Sequence, residues 1–184
     1  FYTQHTEEFY DFYKNKMIFL DAKPNKAHLK LAEMEQAGKL SALVTQNIDG
    51  LHQAAGSKNV FELHGSVHRN YCQKCGKFFD VNYVVNAKGV PYCDECGGII
   101  KPDVVLYEEG LDSQTINGAV RAISKADMLI IGGTSLVVYP AAGMIDYFKG
   151  KYLAVLNRDA TSRDKQADLC ITDPIGEVLG RIRV

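Results

Sequence analysis

Two Cys-x-x-Cys turns, Cys72–Cys75 and Cys93–Cys96, constrain this chain more than any other feature. Seventeen residues separate them, and a glycine follows each pair, Gly76 and Gly97. Two residues between thiolates let both sulfurs point into one turn, and the glycine lets the backbone curl without Cβ strain. Two such turns facing each other supply the four soft ligands of a tetrahedral zinc ion. A closed set of four thiolates leaves no open position for a substrate, so Cys72, Cys75, Cys93 and Cys96 are predicted to hold a structural Zn2+. The chemistry must then lie elsewhere in the chain.

The 184 residues suffice for one core, or one core and a small satellite. With 21 basic and 22 acidic residues the formal net charge is -1, which argues against a nucleic-acid partner. No apolar run is long enough for a membrane span, and the N-terminus does not resemble a signal peptide. The fifth cysteine, Cys170, lies in an apolar strand-like run and reads as a small buried hydrophobe. Metal-bound thiols plus one free thiol fit a reducing, cytoplasmic setting better than a disulfide framework. The chain opens on Phe1 rather than methionine and so reads as starting inside a longer protein.

Helices are predicted over residues 6–18, with Thr6 as cap, and over 25–37, ended by Gly38. Short apolar strands are predicted at 40–44, 59–63, 128–131, 152–156 and 169–171, and further helices at 112–124, 140–148 and 174–182. Strands alternating with helices predict an α/β fold, a Rossmann-like parallel sheet with helices on both faces. The predicted organisation is a helical segment over 1–38, a discontinuous nucleotide-binding domain over 39–66 and 100–184, and a zinc-binding module over 67–99.

In an open parallel sheet, ligands bind beyond the carboxyl ends of the strands. The strand exits here read Thr45-Gln46-Asn47-Ile48-Asp49-Gly50, His64-Gly65-Ser66, Gly132-Gly133-Thr134-Ser135, Asn157-Arg158-Asp159 and Thr172-Asp173. Amides, hydroxyls, carboxylates and one imidazole on a shared rim suit a ligand with ribose and phosphate groups. Taken singly, Gly132–Ser135 also reads as a strand-to-helix turn, and Asn157 and Asp159 as turn formers. His64 stands out by its position at a strand end, whereas His5, His28, His52 and His68 read as surface or packing residues.

With these residues in view, the chain resembles the sirtuins, the NAD-dependent protein deacylases, and bacterial members in particular. The matching pieces are Thr45–His52, Glu62–Ser66, the four cysteines, Lys101–Glu109, Gly133–Ala142 and Asn157, in the family's order. The resemblance implies that an acyl-lysine peptide and NAD meet between a large Rossmann-like domain and a small zinc module. It implies that Gln46, Asn47, Ile48 and Asp49 handle the nicotinamide ribose and carboxamide, with His64 as general base and Asn47 beside it in catalysis. Gly133, Thr134 and Ser135 would line the phosphate and ribose side, Asn157, Arg158 and Asp159 the adenosine end, and Thr172 the adenine. Val104, Val105, Leu106 and Tyr107 would pair as a strand with the substrate backbone, flanked on its other side by Val138. The implied reaction moves the acyl group from lysine to ADP-ribose and releases nicotinamide.

Two departures from the family pattern carry expectations. The glycine-rich loop with its alanine, serine and following Asp-Phe-Arg does not appear, and no other segment replaces its phosphate-binding N–H groups. This chain is therefore expected to form an incomplete enzyme with a missing first strand, an unpaired sheet edge and weak NAD binding. Second, Glu108 stands where sirtuins commonly carry glycine; its carboxylate would favour a basic residue beside the acyl-lysine, or face solvent without a role. Two other activities compete with deacylation: a zinc-ribbon and nucleotide-fold module that binds without turnover, and ADP-ribosyl transfer to protein.

Overall fold

Short apolar runs separated by amphipathic stretches dictate alternating strands and helices, and the computed structural model, which describes residues 1–139 and 141–184, follows that alternation. In chain order the elements are α1 (Thr6–Phe12), a π-helical turn (Tyr13–Met17), α2 (Lys26–Gln36), β1 (Leu43–Thr45), α3 (Leu51–Ala54), β2 (Val60–Glu62), β3 (Gly65–Cys72), β4 (Phe78–Phe79), α4 (Val81–Asn86), β5 (Ile100–Val104), α5 (Ser113–Lys125), β6 (Met128–Gly132), α6 (Ala141–Met144), β7 (Tyr152–Leu156), β8 (Leu169–Ile171) and α7 (Ile175–Gly180). Among the described residues no helix is long and apolar enough to cross a membrane. The chain divides into two compact units, residues 1–22, 47–50 and 64–110 in one and the remainder in the other.

The larger unit is the α/β part. Its strands pair in parallel, β1 with β2 and β6 with β7 with β8, in unshifted register. The expectation of one parallel sheet gives way to two parallel sheets that share a core. Val44 of β1, Phe61 of β2 and Leu129 of β6 all pack on Leu63, Ala119 and Ile123. The stripe Ile116, Ala119, Val120 and Ile123 makes α5 amphipathic and turns it onto this cluster. Gly118 lets α5 settle on Phe61, since a Cβ there would lie 2.4 Å from the ring. On the other side, Ala27 and Leu31 of α2 and Leu179 of α7 cover Ile130 and Leu156. Burying each large aliphatic side chain of this kind contributes about 1.5–3 kcal/mol.

Asn25 caps α2 as a capping box: its Oδ1 accepts the Ala27 and His28 N–H groups, and His28 Nδ1 accepts the Asn25 N–H. The predicted start of the helix near 140 falls on Pro140, which lies outside the described residues. Cys170 is exposed rather than buried. It sits on the edge strand β8, whose first two residues face solvent.

The smaller unit holds the antiparallel sheet β4-β3-β5. Its core gathers Phe9, Tyr10 and Tyr13 of the first helical segment with Val67, Val84, Val90 and Ile100. The Tyr10 hydroxyl donates to the Ile100 carbonyl. Lys14 Nζ donates to the Ala87 and Gly89 carbonyls at 2.7 and 2.6 Å. These contacts explain why the division falls elsewhere than the sequence boundaries: residues 1–22 pack with the cysteine-bearing unit, while 23–38 join the larger one. Thr6 lies inside α1 and is not its cap; its hydroxyl donates to the Tyr2 carbonyl instead.

Candidate functional site

The four cysteines come together in the smaller unit. Their Sγ atoms all lie within 4.8 Å of one another, with Cys72 and Cys96 at 3.3 Å and Cys75 and Cys93 at 3.7 Å. A tetrahedron with metal–sulfur bonds of about 2.3 Å has edges of about 3.8 Å, so the four thiols fit a zinc ion. Each turn closes on its glycine: the Gly76 N–H donates to the Cys72 carbonyl at 2.9 Å and the Gly97 N–H to the Cys93 carbonyl at 3.0 Å. Both glycines have positive φ, 74° and 67°. Burial pushes the Cys72 thiol up, but the Cys75 and Lys74 amides and the neighbouring thiols outweigh it and bring it down to about 6. Outside the thiols, Lys77 Nζ reaches Asp94 Oδ1 at 2.7 Å and Glu95 Oε1 at 2.8 Å, tying one cysteine turn to the other.

Near the strand exits, β1 and β2 end side by side, Thr45 opposite Glu62, and the Leu63 N–H extends the pairing to the Thr45 carbonyl. Gln46 thus closes a segment of the larger unit, and the chain passes into the smaller unit at Asn47 and at His64. There the Ile48 carbonyl accepts the Val67 N–H at 3.0 Å, and His68 Nε2 donates to the Asp49 carbonyl at 3.0 Å. Gly50, with φ of 69°, lies against the His68 imidazole. His64 is half-buried, and its carbonyl accepts the Val105 N–H at 3.1 Å. The smaller unit thereby stitches together Asn47–Gly50, His64–His68 and Val104–Val105.

Val104 ends β5 and is buried, whereas Tyr107 is fully exposed. Between them the backbone is largely engaged. Lys101 Nζ donates to the Val104 carbonyl, Glu109 Oε2 accepts the Leu106 N–H at 2.9 Å, and the Glu109 N–H donates to the Leu106 carbonyl at 3.0 Å. Lys101 and Glu109 also pair directly at 2.9 Å. Hydrogen bonds from the Leu106 amide and Lys101 outweigh the effect of burial and hold the Glu109 carboxyl below its ordinary value. Glu108, between Tyr107 and Glu109, has a left-handed backbone, φ 74°. That conformation gives a physical reason for a glycine in this motif.

The larger unit contains a pocket of about 650 Å³ at the ends of β6, β7 and β8. Gly133, Thr134, Ser135, Asn157, Arg158, Asp159 and Thr172 all line it. Parallel register puts the three exits at one edge, and the Gly133 and Asn157 N–H groups continue the ladder to the Leu156 and Ile171 carbonyls at 3.1 Å each. Asn157 Nδ2 donates to the Asp159 carbonyl at 2.7 Å, shaping that loop. Leu156, Pro174 and Ile175 add apolar wall. Val138 lies apart from this pocket on an exposed run with Val137 and Tyr139. Asn25 and Gly176 also line the pocket without having been singled out in the sequence. The signal for Asn25 was its place as a helix cap, which brings a helix start to the rim.

Known proteins match this chain along most of its length. Residues 1–140 fit the model of the Sir2 family. An NAD-dependent protein deacetylase of Clostridium acetobutylicum is 65% identical over 97% of this chain and 74% of its own length. One from Cutibacterium acnes is 51% identical over 98% of this chain and 73% of its own. A solved Sir2–p53 peptide–NAD+ structure superposes with a TM-score of 0.92 at 41% identity, covering 98% of this chain and 78% of that one. A Sir2 complex with the inhibitor EX-527, 2′-O-acetyl-ADP-ribose and deacetylated p53 peptide gives 0.91 at 43% identity, with 98% and 80% covered. The chain belongs to the Sir2 family.

Proposed function

We propose that this protein is an NAD-dependent protein-lysine deacylase, which moves the acyl group of a modified lysine onto ADP-ribose and releases nicotinamide. The observation that carries the reading is the convergence of Gly133–Ser135, Asn157–Asp159 and Thr172 on one pocket beyond three parallel strands. Such a pocket, polar at its rim and apolar along Leu156 and Ile175, suits an adenosine with its ribose and phosphates. Its residues hold the adenosine half of NAD. Gln46, Asn47 and Asp49 orient the nicotinamide carboxamide and ribose, and Ile48 walls them in.

NAD, when bound, supplies a glycosidic carbon from which nicotinamide can leave as the acyl oxygen attacks. The residues of this chain align that oxygen and exclude water. His64 accepts the proton of a ribose hydroxyl, the general-base role that an imidazole nitrogen can serve. Asn47 sits with it in the catalytic set. The substrate peptide runs along Val104–Tyr107, and Val138 is a further residue of the peptide-binding set. Because the Val105 and Leu106 N–H groups are already engaged, the open backbone for pairing lies toward Tyr107. The zinc site braces the smaller unit and takes no part in the chemistry. Reduced, metal-binding thiols also support a cytoplasmic location.

The test is turnover of an acetyl-labelled lysine peptide with NAD. Nicotinamide release with the label recovered on ADP-ribose is expected, and His64→Ala is expected to abolish both while peptide binding persists. ADP-ribose attached to protein, with the acetyl group left in place, would show ADP-ribosyl transfer instead. Binding of both the peptide and NAD without nicotinamide release would show a binding module.

A further inference from the structure

Four charged side chains lie on β5 and the turn after it, and three of them are matched. Lys101 pairs with Glu109 at 2.9 Å, and Asp103 with Arg69 at 2.7 Å. The fourth, Glu108, is exposed and has no hydrogen bond or ion pair among the described residues. The two adjacent glutamates divide their tasks. Glu109 builds the turn, through its own N–H to the Leu106 carbonyl and its carboxylate to the Leu106 N–H and Lys101. Glu108 builds nothing, yet it occupies the left-handed region, φ 74°, which side chains adopt only at an energetic cost. The turn fixed by Glu109 holds that uncompensated carboxylate beside Tyr107, whose side chain is fully exposed.

We propose that Glu108 selects acyl-lysine substrates carrying a lysine or arginine close to the acylated residue. The inference rests on the reading that an acyl-lysine peptide runs along this segment. Acylation neutralises the target lysine, so the carboxylate gains nothing from the target itself. Only a neighbouring cation can answer it. The open backbone starts where Val105 and Leu106 leave off, so a peptide paired there brings its flanking side chains past Glu108. An exposed ion pair of this kind changes kcat/KM by roughly 1.5- to fivefold, and the effect shrinks as salt screens it.

The experiment compares kcat/KM for acetyl-lysine peptides that differ only in having lysine, alanine or glutamate at successive positions flanking the acetylated residue. The enzymes are the wild type, Glu108→Gln, Glu108→Gly and Glu108→Lys. The wild type is expected to prefer a basic flank at one or more positions by about two- to fivefold at low salt. Glu108→Gln and Glu108→Gly should both lose the preference although only glycine relieves the backbone, and Glu108→Lys should reverse it toward glutamate. Equal turnover of all peptides by the wild type, or an unchanged preference in Glu108→Lys, overturns the proposal and leaves deacylation standing. Failure of the NAD-bound enzyme to turn over any acetylated peptide overturns the deacylase reading and this inference with it.

Discussion

The α-carbon of Gly65 lies so close to the backbone carbonyl of Asp103 that a Cβ on Gly65 would fall 1.9 Å from that oxygen. Gly65 opens β3 opposite Val104 of β5, and its φ is 74°. Two constraints therefore require glycine here, the left-handed backbone and the approach of the partner strand. His64 precedes it, and the His64 carbonyl holds Val105. Gly65→Ala must push β5 away from β3. A destabilisation of about 2–4 kcal/mol is expected, read as a fall of roughly 5–15 °C in thermal unfolding followed by circular dichroism. A mutant that melts with the wild type would mean that the two strands do not approach as described.

Removal of zinc is expected to unfold the smaller unit, because four thiols held within 4.8 Å of one another lose the ion that satisfies them. A chelator should expose the segment 64–110 to protease while the parallel strands of the larger unit stay protected. Lys77 adds a second link across the same turns. Four thiolates on a divalent ion leave a net negative centre, and Asp94 and Glu95 add two carboxylates beside it. Lys77→Met should therefore release zinc to a chromogenic chelator about tenfold faster than the wild type. Lys77→Arg should largely restore retention. Identical release from Lys77→Met would assign the lysine to the surface alone.

The zinc centre was legible because its ligands are local: Cys-x-x-Cys fixes two sulfurs per turn, and only the meeting of the turns needs the fold. The pocket was legible for a similar reason, since parallel strands must send Gly133, Asn157 and Thr172 to one edge. Properties set by long-range packing were not. Nothing local in Phe9, Tyr10 and Tyr13 says that they bury against Ile100 and Val84. Cys170 looks like a core residue by its apolar neighbours, and only its place on an edge strand exposes it. Residues 65–72 read as an exit loop plus the start of the metal module, yet they form β3, because the partner β5 lies some thirty residues on.

Besides Asp94 beside the cysteine turns, three carboxylates among the described residues are held below their ordinary values and contribute to the acid sensitivity of the fold. Backbone and hydroxyl hydrogen bonds from Thr115 hold Asp112, the cap of α5, below its ordinary value. The Thr161 hydroxyl and amide do the same for Asp164. The Leu106 amide and Lys101 lower Glu109 against the opposing effect of burial. A depressed carboxyl contributes stability that is complete above its unfolded pKa and is lost as pH falls through the folded one. The urea midpoint is thus expected to vary little on account of these groups from neutrality to about pH 5, then to fall with further acid. Lys101→Met and Thr161→Val should each flatten part of that fall. A midpoint that rises on acidification would contradict the assignment.

Asn25 joins two roles that substitution can separate. Its side chain caps α2, and it also lines the pocket assigned to the adenosine half of NAD. Asn25→Ala loses the cap, at a cost of about 1 kcal/mol, which for a chain of this size lowers the melting temperature by roughly 2–4 °C. Asn25→Asp keeps the cap, because an aspartate oxygen accepts the same N–H groups and ranks with asparagine at this position. It also adds a negative charge to a pocket meant for phosphates, where repulsion across partly screened distances should weaken NAD by about three- to tenfold. The alanine variant should therefore melt early, and the aspartate variant should melt with the wild type but require more NAD, measured as KM for NAD at saturating peptide. An aspartate variant with unaltered KM would place the phosphates away from Asn25 and confine that residue to its helix.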